Sequence, residues 1–156
     1  MNTLQAGAQA PQFTLENQDG ESISLSTLLE SKQVLVYFYP KALTPGCTVQ
    51  AEQLRDHKEQ LAQYNTVAVG ISPDPVKKLK NFETKKELNF DLLSDEDHAI
   101  ADAFGVWGLK KFMGKEYDGI HRISFLIGQD GTVKHVFNKF KTKEHHQVVI
   151  DYLAAH

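Results

Sequence analysis

Apolar residues in this chain come in short runs separated by polar, turn-forming clusters. Val34-Leu35-Val36-Tyr37-Phe38-Tyr39 and Thr66-Val67-Ala68-Val69-Gly70-Ile71-Ser72 are dense in β-branched and aromatic residues, which predicts two buried strands. Phe90–Leu93 predicts a shorter one. Helical spacing fills the intervals: from Cys47 to about Gln63, and from Pro75 through Phe82, where proline is tolerated in the first turn. Ser94-Asp95-Glu96-Asp97 opens a helix carrying Ile100, Ala103 and Phe104, which Gly105 ends. A last helix spans about Thr142 to Ala155, with Val148, Val149, Tyr152 and Leu153 on one stripe. Two hairpins complete the pattern. Phe13–Leu15 and Ser22–Leu25 flank Asn17-Gln18-Asp19-Gly20, and Ile123–Ile127 and Thr132–Phe137 flank Gln129-Asp130-Gly131. Ser26 is placed to cap a helical turn at Thr27–Leu29. The alternation predicts one α/β domain over residues 1–156, with a central mixed sheet, helices on both faces and an N-terminal β-hairpin.

Composition narrows the function classes. Hydrophobic residues make up 41% of the 156, ample for one core. A net charge of −3 with both signs dispersed gives no basic face for nucleic acid. The apolar runs are far too short for a membrane span, and Met1–Ala6 lacks the pattern of a signal peptide. A cytoplasmic protein is expected. With a single cysteine, neither an intrachain disulfide nor a multi-cysteine metal site can form.

That cysteine is the most informative position. Cys47 ends the segment Pro40-Lys41-Ala42-Leu43-Thr44-Pro45-Gly46-Cys47, beyond a core strand and at the start of a helix. Free N–H groups and the helix dipole there favour the charged, nucleophilic form of a thiol. In open α/β sheets, ligands bind beyond the carboxyl ends of parallel strands, where this loop belongs. Pro45 and Gly46 keep side-chain bulk from the approach, and Gly46 allows backbone geometry closed to other residues. Thr44 can hydrogen-bond the sulfur, cap the helix, or both. Arg122 begins the strand Ile123–Ile127; if that strand pairs antiparallel with Val34–Tyr39, its guanidinium reaches Cys47 across 75 residues of sequence. A solvated charge at the strand start is the competing reading for Arg122. Arg55, two turns into the helix, is a weaker partner and fits an exposed helix-face charge or an ion pair with Glu59 or Glu52.

Tyr37 to Thr48 resembles the peroxidatic motif of peroxiredoxins, Pro-x-x-x-Thr-x-x-Cys. The resemblance extends over most of the chain: Gly7–Phe13, Leu92–Asp95, Phe104–Gly108 and His121–Ile127 with Asp130-Gly131 are similar to other segments of that family, in its peroxiredoxin Q (bacterioferritin comigratory protein) type. It implies a thioredoxin-like fold and reduction of hydrogen peroxide or alkyl hydroperoxides without metal, flavin or haem. It implies that Cys47 is the peroxidatic nucleophile, that Thr44 and Arg122 align sulfur and peroxide, that the Gly46 backbone assists in binding, and that Pro40 shields the site. Many members of the type carry a resolving cysteine five residues after the first; here that position is Glu52. The sulfenic acid on Cys47 would therefore need an external thiol such as glutathione, a glutaredoxin or a thioredoxin. Relatives of this type are often monomers, and a monomer is expected. Two other classes stand beside this one. A cysteine hydrolase would need an imidazole at Cys47, and His121 is the nearest along the sequence but should point opposite to Arg122. A thioredoxin-like redox sensor or binding module would oxidise without turning over.

Other polar features have plainer readings. The seven histidines lack His-x-x-x-His spacing, and His145-His146 read as surface polarity at the start of the last helix. Ser94–His98 reads as a helix cap rather than a calcium loop. Lys110–Lys115 reads as a solvated loop, with contact to substrate or reductant as the alternative, and Trp107 and Phe112 as core or as a site wall.

Overall fold

The computed structural model describes residues 1–156 and contains nine strands and six helices. A hairpin of β1 (Thr14–Glu16) and β2 (Ser22–Ser24) leads into the short helix α1 (Leu25–Leu29). There follow β3 (Gln33–Phe38), α2 (Pro45–Asp56), α3 (Lys58–Gln63), β4 (Thr66–Ser72), α4 (Val76–Lys86), β5 (Asp91–Ser94) and α5 (Ala99–Phe104). The last part holds β6 (Trp107–Phe112), β7 (Lys115–Ile120), β8 (Ser124–Ile127), β9 (Val133–Phe137) and α6 (His145–Ala155). No helix is long and apolar enough to cross a membrane.

Five strands form the central sheet in the order β5-β4-β3-β8-β9. β3, β4 and β5 are parallel; β8 runs antiparallel to β3, and β9 to β8. The sheet is mixed, as the pattern predicted. Strand alternation splits β3 cleanly: Leu35, Tyr37 and Tyr39 pack with Leu54, Leu79, Phe82 and Val149, whereas Val34, Val36 and Phe38 pack with Leu25, Phe104 and Phe125. Helices α2, α3, α4 and α6 thus cover one face, and α1 and α5 the other. Burial on both faces is why these strands show no polar alternation.

Local differences from the expected pattern have simple causes. Ser24, not Ser26, caps α1, accepting from the Thr27 N–H at 3.3 Å. The helix expected from Cys47 to Gln63 breaks at His57, whose backbone leaves helical geometry between α2 and α3. Asp95 caps α5 from further off, accepting from the N–H groups of Ile100 and Ala101 at 3.1 and 2.9 Å. The segment Lys110–Lys115, read as a solvated loop, is the tip of a regular hairpin, β6 with β7, turned by Met113 and Gly114, both with positive φ. Both strands are largely exposed and neither packs fully on the core, so no buried apolar run marked them.

The tightest fit in the sheet lies between β3 and β4. A Cβ at Gly70 would fall 2.7 Å from the Tyr37 ring, which lies directly over this glycine. Gly70→Ala is expected to cost about 1–3 kcal/mol in urea unfolding, through overpacking against a fully buried ring. An unchanged midpoint would show that Tyr37 can move aside.

Candidate active site

The site forms where β3 ends and β8 begins. The β3–β8 register pairs Tyr37 with Ser124, which sets Arg122 opposite Tyr39, one residue before the loop that leads to α2. The Phe38 N–H closes the junction by donating to the Ile123 carbonyl at 3.1 Å. Cys47 lies in the first turn of α2 and is 1% exposed. Pro45 opens the helix without an N–H, and the first-turn N–H groups of Gly46 and Cys47 have no intrahelical acceptor.

Arg122 and Cys47 meet as the antiparallel pairing required. Arg122 Nη1 donates to Cys47 Sγ at 3.4 Å and to Gln50 Oε1 at 2.8 Å. Gln50 lies one turn after Cys47 on the same helix face and is fully buried, so the helix that carries the sulfur also orients the guanidinium. This fixed positive group and the helix N-terminus converge on one buried sulfur. Such an arrangement can stabilise negative charge developing on an oxygen brought against the sulfur.

The other expected residues lie around this pair with some corrections. Thr44 is at the N-cap position, but its hydroxyl bonds neither the sulfur nor the helix; it donates to the Lys41 carbonyl at 2.7 Å. With its proton so committed, the oxygen offers lone pairs as an acceptor. Gly46 is helical and needs no special backbone conformation. A Cβ there would lie 3.5 Å from Arg122 Nη2, an ordinary contact, so Gly46 sits directly beside the guanidinium. The left-handed residue in the loop is Leu43, with φ of 67°. Pro40 is half-buried at the loop's start. Arg55 is remote from the sulfur: it pairs with Asp56 and Glu52 rather than Glu59, and donates to the Lys86 carbonyl. His121 bonds the Leu109 carbonyl, so no imidazole activates Cys47 from that side.

Three supports escaped the sequence reading. Gln50 is one. Asp74 is the second: buried between Pro73 and Pro75, it accepts from the Ala42 N–H and the Ser72 hydroxyl, each at 2.8 Å, and so anchors the loop to the end of β4. Its place at the carboxyl end of the neighbouring parallel strand was the available signal. His145 is the third. The expectation of surface polarity fails here, because His145 is fully buried and His146 nearly so. His145 Nε2 lies 2.7 Å from the Ser124 hydroxyl, two residues from Arg122, and its ring packs against Tyr37 and Phe140. Burial pushes its pKa down to about 3, with the nearby His146 and Arg122 charges acting in the same direction. Burial likewise holds His146 low, helped by His57, whose ring lies 4.2 Å away. Burial also raises both Tyr37 and Tyr39, so the phenols beneath the site stay neutral.

A family model described as the AhpC/TSA family matches residues 6–136. The chain belongs to that family. Peroxiredoxin Bcp of Escherichia coli K12 is 57% identical over 156 residues, covering 100% of this chain and 99% of its own. Peroxiredoxin Bcp of Bacillus subtilis is 43% identical over 143 residues, covering 92% and 90%. Among solved structures, peroxidoxin BcpB of Mycobacterium tuberculosis superposes with a TM-score of 0.87 at 34% identity, covering 97% of each chain. Peroxiredoxin Q of Xanthomonas campestris gives 0.85 at 33%, covering 92% and 90%. The thioredoxin-like architecture and the Bcp/Q type implied by the motif are therefore shown, and the chain is a thiol-dependent peroxiredoxin.

The buried histidine predicts an acid-labile fold around the site. Its folded-state pKa is depressed, so as pH falls through 6.5 the unfolded chain binds a proton that the folded chain refuses until about pH 3. Stability is full above pH 6.5 and is lost below it. From pH 7.5 to 5, His145 alone is expected to cost about 2 kcal/mol. The stability gap between wild type and His145→Gln in denaturant unfolding should narrow by that amount over the same interval. A gap that does not change with pH would contradict a neutral, buried His145.

Proposed function

We propose that this peroxiredoxin reduces hydrogen peroxide and alkyl hydroperoxides through a Cys47 sulfenic acid that an external thiol reduces. The observation that carries this reading is the contact of Arg122 with a buried sulfur in a chain that has no second cysteine. In the first step the Cys47 thiolate attacks the terminal peroxide oxygen. The S–O bond forms as the O–O bond breaks, and the alcohol or water leaves with a proton. The Arg122 guanidinium and the first-turn N–H groups face the oxygens as charge moves onto them, and the Thr44 oxygen accepts from the peroxide hydroxyl. Pro40 covers the loop side and restricts water at the sulfur. No metal or organic cofactor takes part.

Recycling then depends on thiols from outside. One thiol displaces water from the sulfenic acid to give a mixed disulfide, and a second releases Cys47 as a thiol. Glutathione with glutaredoxin, or thioredoxin, supplies the two electrons. The protein works as a monomer in the cytoplasm, where such thiols stay reduced.

Steady-state peroxide consumption with each reductant tests this reading. Wild type should turn over many times, and Cys47→Ser not at all. Arg122→Ala should fold but lose roughly a hundredfold or more in the rate of Cys47 oxidation, as expected for removal of a charge-stabilising donor. Arg122→Lys should rescue little, because an ammonium placed between Sγ and Gln50 lacks the second, coplanar nitrogen that the guanidinium keeps free to face the peroxide. One oxidation per chain, with no turnover on any thiol, would point instead to a redox sensor.

A further inference from the structure

The adjacent histidines at the start of α6 take no part in the chemistry above, yet they touch both elements that bring Cys47 and Arg122 together. His145 reaches β8: its Nε2 lies 2.7 Å from the Ser124 hydroxyl, and both residues are fully buried. His146 reaches the far end of α2, where its ring lies 4.2 Å from that of His57. The loop just before them reaches the near end. A Cβ on Gly46, in the first turn of α2, would lie 3.6 Å from Thr142 Cγ2. The short segment from Thr142 to His146 therefore meets α2 at both ends and β8 at its start.

The Ser124 contact bears most directly on the guanidinium. Ile123, Phe125 and Ile127 face the α1 and α5 side of the sheet, and Leu126 faces the α2 and α6 side. Alternation places Ser124 and Arg122 on the Leu126 side, two residues apart. There Ser124 meets His145, and Arg122 meets Cys47 and Gln50. The main chain of Arg122 makes no hydrogen bond to the rest of the backbone, so its place depends on its neighbours. On one side the His121 N–H donates to the Val106 carbonyl at 2.8 Å. On the other, the Ile123 carbonyl accepts from the Phe38 N–H at 3.1 Å, and Ser124 is held by His145.

We propose that His145 is a positioning residue for peroxide reduction: through Ser124 it fixes the start of β8, and with it the guanidinium, against Cys47. The inference rests on the oxidation step proposed above, in which Arg122 faces the peroxide oxygens. The imidazole suits this role because it is itself fixed. Its ring packs against Tyr37 and Phe140, with centroids 5.7 and 4.5 Å away. Nδ1 has no partner within the protein, so the one hydrogen bond of the side chain goes to β8. Burial keeps the ring uncharged down to about pH 3, so it sets no second cation beside Arg122. Losing the bond leaves a buried polar group unpaired and releases the strand start. A displacement of about 1 Å in a reacting geometry can cost about a hundredfold in rate.

The test measures stopped-flow oxidation of Cys47 by hydrogen peroxide in His145→Leu, His145→Gln, Ser124→Ala and Arg122→Ala, with urea unfolding to confirm that each is folded. His145→Leu and Ser124→Ala should each lose about tenfold or more in rate. His145→Gln should stay close to wild type, because its amide group can take the place of Nε2 toward Ser124. Adding His145→Leu to Arg122→Ala should cost nothing further, because the group it positions is gone. A role confined to stability would slow both backgrounds by the same factor, and that result overturns the assignment. So does a wild-type rate in folded His145→Leu or, should that variant not fold, in Ser124→Ala. A wild-type rate in Arg122→Ala contradicts the oxidation step itself, and this assignment with it.

Discussion

The structure turns on a single guanidinium nitrogen that donates to a sulfur and to an amide oxygen on the same helix. Nη1 of Arg122 can do this only if two conditions hold together. β8 must run antiparallel to β3, so that its start lies where β3 ends. α2 must begin at Pro45, so that Cys47 and Gln50 fall on the inward side of its first two turns. An arginine suits this bridge because its planar, permanently charged group offers fixed donors.

Polar groups buried behind the site hold that geometry. Asp74 fixes the loop through Ala42 and Ser72, and His145 meets Ser124 two residues beyond Arg122. A buried polar group left without a partner is costly, so these pairs restrict the loop and the strand start to one arrangement. The Tyr37 ring, seated over Gly70 and against His145, fills the space beneath. Precision at Cys47 thus depends on neighbours that never touch a substrate.

Much of this was legible in the sequence, and the parts that were not share a cause. β3, β4 and β8 announce themselves as apolar runs because burial on the sheet faces excludes polar residues, and β9 is marked by the Asp130-Gly131 turn before it. The Arg122–Cys47 contact followed from one assumption about strand direction. Thr44 was placed correctly at the N-cap, but the hydroxyl rotor turned to Lys41, a choice made by local geometry that composition does not encode. His145 and Gln50 look like surface residues in a helix pattern; only tertiary packing from β8 and Tyr37 buries them. The β6–β7 hairpin stayed hidden because its tip leaves the core, so no hydrophobic period marks it.

The most direct measurement is the second-order rate constant for Cys47 oxidation by hydrogen peroxide at neutral pH, followed by stopped flow with intact mass of the product. If Arg122 and the start of α2 prepare the sulfur, the rate will exceed that of free cysteine by orders of magnitude and the product will carry one added oxygen. A rate equal to that of free cysteine, for hydrogen peroxide and for bulkier hydroperoxides alike, would contradict the account.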